Sequence, residues 1–221
     1  MSRWEIRIAT VIAAMALGLT PTATTAAEQP GLAIAALETL PVKGRAPKTG
    51  YTRDQFGQAW ADVDRNGCDT RNDILKRDLT SVIYKAKTRN CVVLSGTLLD
   101  RYSGESINFI RGNITSMEVQ IDHVVALSNA WQTGAFKLTA EQRKALANDP
   151  MNLFAVKGRL NSQKGDGDAA TWLPPLKSFR CAYVAQQIAV KAKYSLWVVP
   201  PEKAAMVSIL AKCPTQKLPV S

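Results

Sequence analysis

Apolar positions along the chain change their spacing from segment to segment, and the spacing assigns the elements. Short runs rich in β-branched and apolar residues read as strands at 91–100, 106–110, 117–121 and 152–156. Helical spacing assigns helices to 53–61, where Phe56 and Trp60 share one stripe, and to 72–79, 124–131, 139–147, 182–193 and 202–210. Asp69 or Thr70 can cap the second of these, because a short polar side chain accepts from the free N–H groups of a first turn. Thr139 caps the fourth, and Asn148–Asp149–Pro150 stops it, since proline disfavours helix in the residue before it. Pro200–Pro201 opens the last, where a missing N–H costs nothing. Residues 158–165 read as a turn entering a helix, 100–104 as a turn, and 172–175, Trp-Leu-Pro-Pro, as a rigid connection. The predicted class is α+β, with more helix than strand.

The two ends read differently. A basic start with Arg3 and Arg7 is followed by an apolar run over 8–19, Thr20–Pro21 and small residues to Ala27. That layout predicts a secretory signal peptide over 1–27. An uncleaved anchor is the alternative, but the run is short of the roughly 20 residues a bilayer span needs. Residues 28–50, rich in Ala, Pro, Gly and Lys, read as a flexible leader with a short helix over 33–40. The predicted domain is 51–213, followed by a tail at 214–221. One domain with a real core suits this length, and a monomer is expected.

Export changes how the cysteines are read. Cys68, Cys91, Cys181 and Cys213 are an even set in an oxidising compartment, so two disulfides are expected. Sequence order favours Cys68–Cys91 and Cys181–Cys213. Zinc is the weaker reading, with no CxxC pair and one histidine placed elsewhere. The chain is basic, with 28 Lys+Arg against 18 Asp+Glu. Removing residues 1–27 takes two arginines and one glutamate from the formal +10 and leaves +9. Basic charge on an exported protein suits a polyanionic partner such as nucleic acid. Residues 62–73 match the start of a calcium loop: Asp62, Asp64 and Asn66 supply oxygens, Gly67 makes the turn, and Asp73 stands where a bidentate glutamate is usual. The competing reading is a polar turn.

The chemistry concentrates around Asp122–His123, at the end of an apolar strand. His123 is the only histidine in 221 residues. A neutral imidazole suits general-base work near neutral pH, and a carboxylate beside it can ligate a hard cation. Two further segments each bring one amide: Asn152 ahead of a strand, and Asn161 at the start of a helix. Phosphodiester hydrolysis needs a deprotonated water and neutralisation of charge on the phosphate and the leaving 3′ oxygen, which one oxygen-ligated divalent cation can supply. In this reading Asp122 and Asn161 hold the metal, His123 is the base and Asn152 braces its ring.

These segments resemble the HNH, or ββα-metal, nucleases. In particular they resemble the subfamily that includes the C-terminal nuclease domain of GmrSD-type restriction enzymes and many exported proteins. Its Asp-His-Val-Val-x-Leu stands at 122–127, its Asn-Asp-Pro-x-Asn-Leu at 148–153 and its Asn-x-x-Lys-Gly-Asp at 161–166. The exported members' Gly-Cys-Asp-Thr-Arg stands at 67–71 and their Trp-Leu-Pro-Pro at 172–175. The resemblance spans about 51–213. It implies an HNH core elaborated with extra helices, and Mg2+ as cofactor with Mn2+ able to substitute. It also implies cleavage of DNA, with RNA a second class, to 5′-phosphate and 3′-hydroxyl ends. Structural Ca2+ in the 62–73 loop is a further expectation. Lys164, Arg159 and Arg71 are candidate nucleic-acid contacts. Trp60, Trp131, Trp172 and Trp197 read as core, and little sequence preference is expected. A basic protein that binds a polyanion without cutting it is the rival reading.

Overall fold

The computed structural model describes residues 31–220 and the isolated Met1, so the signal-peptide assignment lies outside the described residues. In chain order the elements are α1 (Ala33–Thr39), α2 (Thr70–Asp78), β1 (Leu79–Tyr84), β2 (Val93–Leu99), β3 (Ser106–Ile110), β4 (Val119–His123), α3 (Leu127–Gln132) and α4 (Ala140–Ala147). They continue with β5 (Leu153–Lys157), α5 (Gly158–Lys164), α6 (Arg180–Lys193) and α7 (Pro200–Leu210). The class is α+β.

β4 and β5 pair antiparallel, with His123 opposite Leu153 and Val119 opposite Lys157. The helix α5 follows β5 directly. β1, β2 and β3 form a separate antiparallel sheet in that order. Ile74 and Leu75 of α2 fill the space between the two sheets, against Val93, Leu98 and Phe109 on one side and Ile121, Leu153 and Ala155 on the other. The opposite face of the β4–β5 pair packs Phe154 and Val156 on Leu160 of α5 and Tyr183 of α6. Coverage on both faces explains why 153–156 is a continuous apolar run rather than an alternating one.

The free edge of β5 is closed by side chains. Asp78 accepts from the Ala155 N–H (2.9 Å), Asp100 from the Lys157 N–H (3.0 Å), and Arg77 donates to the Leu153 carbonyl (2.6 Å). Buried backbone groups without a strand neighbour are thereby satisfied. At the turn into α5, a Cβ on Gly158 would lie 1.9 Å from the Met117 carbonyl oxygen, so only glycine lets the two backbones meet.

Both disulfides form in the order-favoured pairing, Cys68–Cys91 and Cys181–Cys213. The first ties the loop before α2 to the approach to β2; the second ties α6 to the end of α7. Loops of 23 and 32 residues are closed, and loop-closure entropy assigns about 3–4 kcal/mol to each.

Several expectations need correction. Residues 31–50 are not a flexible leader: Ala33 and Leu37 of α1 are fully buried against α6 and α7, and the Trp197 indole donates to the Gly44 carbonyl. The tail is also attached, through Leu218 N–H to the Gly31 carbonyl. No helix runs over 53–61. A 3-10 turn covers Arg53–Phe56, and Gly57 at φ 74° ends it. Phe56 then joins the α3–α4 core while Trp60 packs toward α2, so the two rings do not share a stripe. β1 was not expected; its alternation is broken by an irregular register around Ser81, which has φ 51°.

Candidate active site

His123 is the last residue of β4, and the register that buries Val119 and Ile121 also carries it inward. Its Nε2 lies 2.8 Å from the Ala147 carbonyl at the end of α4. A carbonyl only accepts, so Nε2 carries the proton and Nδ1 keeps a free lone pair. His123 is 8 % exposed, and the Trp60 indole stacks beside its ring with centroids 5.9 Å apart and planes 16° from parallel. Burial holds the imidazole down at about 4, the Arg53 and Lys164 cations push the same way, and the Ala147 hydrogen bond opposes them. The ring is therefore neutral through the physiological range.

Asn152 fixes the chain on both sides of this ring. Its carbonyl accepts from the Val124 N–H (2.8 Å) and its Oδ1 from the Val125 N–H (2.8 Å). Its Nδ2 donates to the carbonyls of Val125 and Leu146, each at 3.3 Å. Leu146 precedes the residue that holds Nε2. One fully buried amide thus ties the loop after His123 to the helix end that orients the imidazole.

Asp122 is 4 % exposed, and both its oxygens are engaged. Lys164 donates to Oδ1 at 2.8 Å and to the His123 carbonyl at 2.7 Å; the Tyr102 hydroxyl donates to Oδ2 at 2.5 Å. Burial and the neighbouring carboxylate push the Tyr102 phenol well above its ordinary value, so it stays a donor. Lys164 is therefore no phosphate contact. Its side chain has no exposed surface, because α5 turns it inward as the counter-charge of Asp122. Arg159, on the same helix, is exposed and lines neither site cavity. Arg71 is half-buried and reaches the Val119 carbonyl at 3.4 Å; burial and nearby Arg111 lower it from its ordinary value.

A cavity of about 240 Å3 is lined by Asp122, His123, Asn161 and Asp166 together. Asn161 Nδ2 donates to Gln120 at 2.8 Å, which leaves its Oδ1 as an unspent acceptor. Asp166 accepts from Ser128 and Lys48, and these bonds, with Ser128 first, hold its carboxyl below the usual value. Exposed Arg53 lines the same cavity. The donor set fits a hard divalent cation. Each carboxylate oxygen of Asp122 has a lone pair beyond the one it uses, and Asn161 Oδ1 is a neutral oxygen. Among the described residues no group of three or more acidic, histidine or cysteine side chains is arranged to hold an ion. Water and phosphate oxygens would have to complete the shell, as magnesium sites commonly require.

In the 62–73 loop, Asp62 and Asp64 accept from the Asn66 backbone N–H, Asp62 also from Gly67, and Asn66 Nδ2 spans Asp64 and Asp73. Asp69 accepts from Asn72 N–H and caps α2.

Sequence reasoning missed Tyr102, Arg53 and Trp60 as site residues. Tyr102 sits in a turn and carries no motif. Trp60 had a visible signal, a large aromatic next to a polar loop, but it read as core.

Residues 69–209 match the model of the family described as GmrSD restriction endonucleases, C-terminal domain. The chain is 38% identical over 179 residues to an "Uncharacterized secreted protein" of Arthroderma benhamiae, covering 80% of this chain and 82% of that one. No solved structure matches it. The matched region holds β4, β5, α5 and every cavity residue from Asp122 to Asp166, and on that extent the chain belongs to the GmrSD C-terminal domain family, which points to nuclease activity.

Proposed function

We propose that the protein is an exported, divalent-metal-dependent HNH endonuclease. It hydrolyses phosphodiester bonds of DNA, with RNA as a second substrate class. One observation carries the reading: His123 has its tautomer set by Ala147, and the ring borders a cavity that it shares with oxygens of Asp122 and Asn161.

In this mechanism Nδ1 of His123 takes a proton from the attacking water while Nε2 stays on the Ala147 carbonyl. That carbonyl then stabilises the imidazolium. Such a positioned base contributes about 10²–10⁴ in rate. Lys164 and Tyr102 hold the Asp122 carboxylate in one orientation, and Asn152 keeps the ring from turning. Arg53, exposed at the cavity wall, contacts the phosphate backbone. Magnesium, with manganese able to substitute, would be held by Asp122 and Asn161 and would supply Lewis acidity and charge neutralisation at the leaving oxygen. The basic net charge supports a polyanionic substrate without base reading. Export is supported by the two disulfides, by the N-terminal pattern and by the relative's being described as secreted.

The test is digestion of supercoiled plasmid by the wild type and by His123→Ala, with magnesium and with EDTA. Wild type nicks and linearises with magnesium, stops in EDTA, and loses on the order of 10²–10⁴ in rate on removal of the imidazole. Cutting that survives both changes overturns the assignment. Plasmid binding without cutting in any condition makes the chain a polyanion-binding protein instead.

A further inference from the structure

A second cavity, of about 360 Å3, meets the first at His123. His123, Arg53 and Leu127 line both. The first cavity's other walls are mostly polar, with Asp122, Asn161 and Asp166. The second is walled by Phe56, Trp60 and Asn148, with Gln58 exposed at its margin. Trp60 is half-buried rather than sealed in the core, and its indole lies nearly parallel to the catalytic imidazole. Asn148 is 1 % exposed and only half satisfied. Its Nδ2 donates to the Lys144 carbonyl at 2.9 Å, while its Oδ1 has no partner. Leaving a buried acceptor unpaired is costly, so a donor supplied from outside at this wall stabilises the site.

We propose that this second cavity is a nucleobase subsite, which receives an unpaired base of the nucleotide next to the scissile phosphate. The inference rests on the nuclease reading above and extends it to substrate form. A phosphate in the first cavity sits against His123, and the group covalently next to it is a nucleoside. The adjoining space shares His123, Arg53 and Leu127 with that cavity and is lined by the half-buried Trp60, with Phe56 beneath. A base is flat, stacks on an indole irrespective of its identity, and presents at least one N–H donor on its pairing edge. Such a donor is the kind of group that the unpaired Oδ1 of Asn148 lacks. In a duplex the pairing edge is already used and the base is held in the stack, so the subsite selects single-stranded or locally unpaired nucleic acid.

The experiment uses the full-length protein, a single-stranded oligonucleotide and a copy with one abasic residue, and maps cleavage bond by bond. Stacking on one aromatic is worth about 1–3 kcal/mol per base, so one bond flanking the abasic residue is cut on the order of tenfold more slowly than in the intact strand. Bonds elsewhere in the same strand are cut alike and serve as the internal control. Trp60→Leu, which keeps apolar bulk without the π face, cuts the flanking bond equally in both strands. Equal cutting of both strands by the wild type overturns the subsite and leaves the nuclease reading intact. If no bond is cut while supercoiled plasmid is, the single-strand subsite is overturned; if neither is cut, the nuclease reading fails instead. The subsite is then decided by fluorescence anisotropy with the same labelled strands in EDTA: roughly tenfold weaker binding of the abasic strand supports it, and equal binding overturns it.

Discussion

Lys164 is the residue whose role differs most between its motif and its surroundings, and Lys164→Met separates the two. A phosphate-binding lysine would sit in solvent, and its loss would leave stability unchanged. In the structure its side chain is fully buried and makes two charge-assisted hydrogen bonds, 2.8 Å to Asp122 Oδ1 and 2.7 Å to the His123 carbonyl. Removing one partner of a buried ion pair leaves the other charge uncompensated, which costs about 3–5 kcal/mol. At about 2–4 °C per kcal/mol for a domain of this size, the melting temperature falls by roughly 6–20 °C. Calorimetry or urea denaturation in EDTA, with disulfides intact, measures it. The partner test is Asp122→Asn with and without Lys164→Met. The double variant is more stable than the summed single losses predict, by about 0.5–3 kcal/mol, because the second change removes a charge already stranded by the first. A Lys164→Met protein within about 0.5 kcal/mol of wild type refutes the buried-pair argument. A simultaneous drop of about 1 in the salt-dependence slope of DNA binding would return Lys164 to the phosphate backbone.

Three further outcomes are expected. The His123 imidazole is held at about 4 in the folded chain against 6.5 ordinarily, so the unfolded chain binds the extra proton between those values. Its share of stability is complete above pH 6.5 and falls by on the order of 3 kcal/mol as pH drops to about 4; in EDTA, a wild-type pH-slope no steeper than that of His123→Asn over this window would contradict it. Asn152→Ala strands the Val125 N–H and two carbonyls inside the protein, and its stability in urea drops by about 1–3 kcal/mol or more, with activity falling alongside. Arg53→Ala stays within about 0.5 kcal/mol of wild type because the side chain is exposed. Its salt slope for DNA binding falls by about 1, and an unchanged slope removes Arg53 from the phosphate path.

What the chain determined by itself was local. β2, β3 and β5 follow from β-branched and apolar runs, and α4 from Thr139 and Gln142, which close a capping box within one turn. The position of Asp122–His123 at a strand end follows from the same kind of signal, since strand periodicity and a polar break need no distant partner. The two disulfides were legible because an even cysteine count and the cysteine order leave few pairings. Tertiary structure decided the rest. Periodicity tells which face a side chain shares, not what will cover it. Lys164 reads as a surface cation on a short helix, yet it is buried because Asp122, forty-two residues earlier, supplies the opposite charge where α5 meets β4. Residues 31–50 read as a leader by composition, but the groove beside α6 and α7 binds Ala33 and Leu37 as core. Trp60 and Phe56 separate because Gly57 and Trp60 itself both adopt a positive φ, and the turned chain sets the indole beside His123. Each of these depends on a surface assembled from remote segments, which no window of neighbouring residues contains.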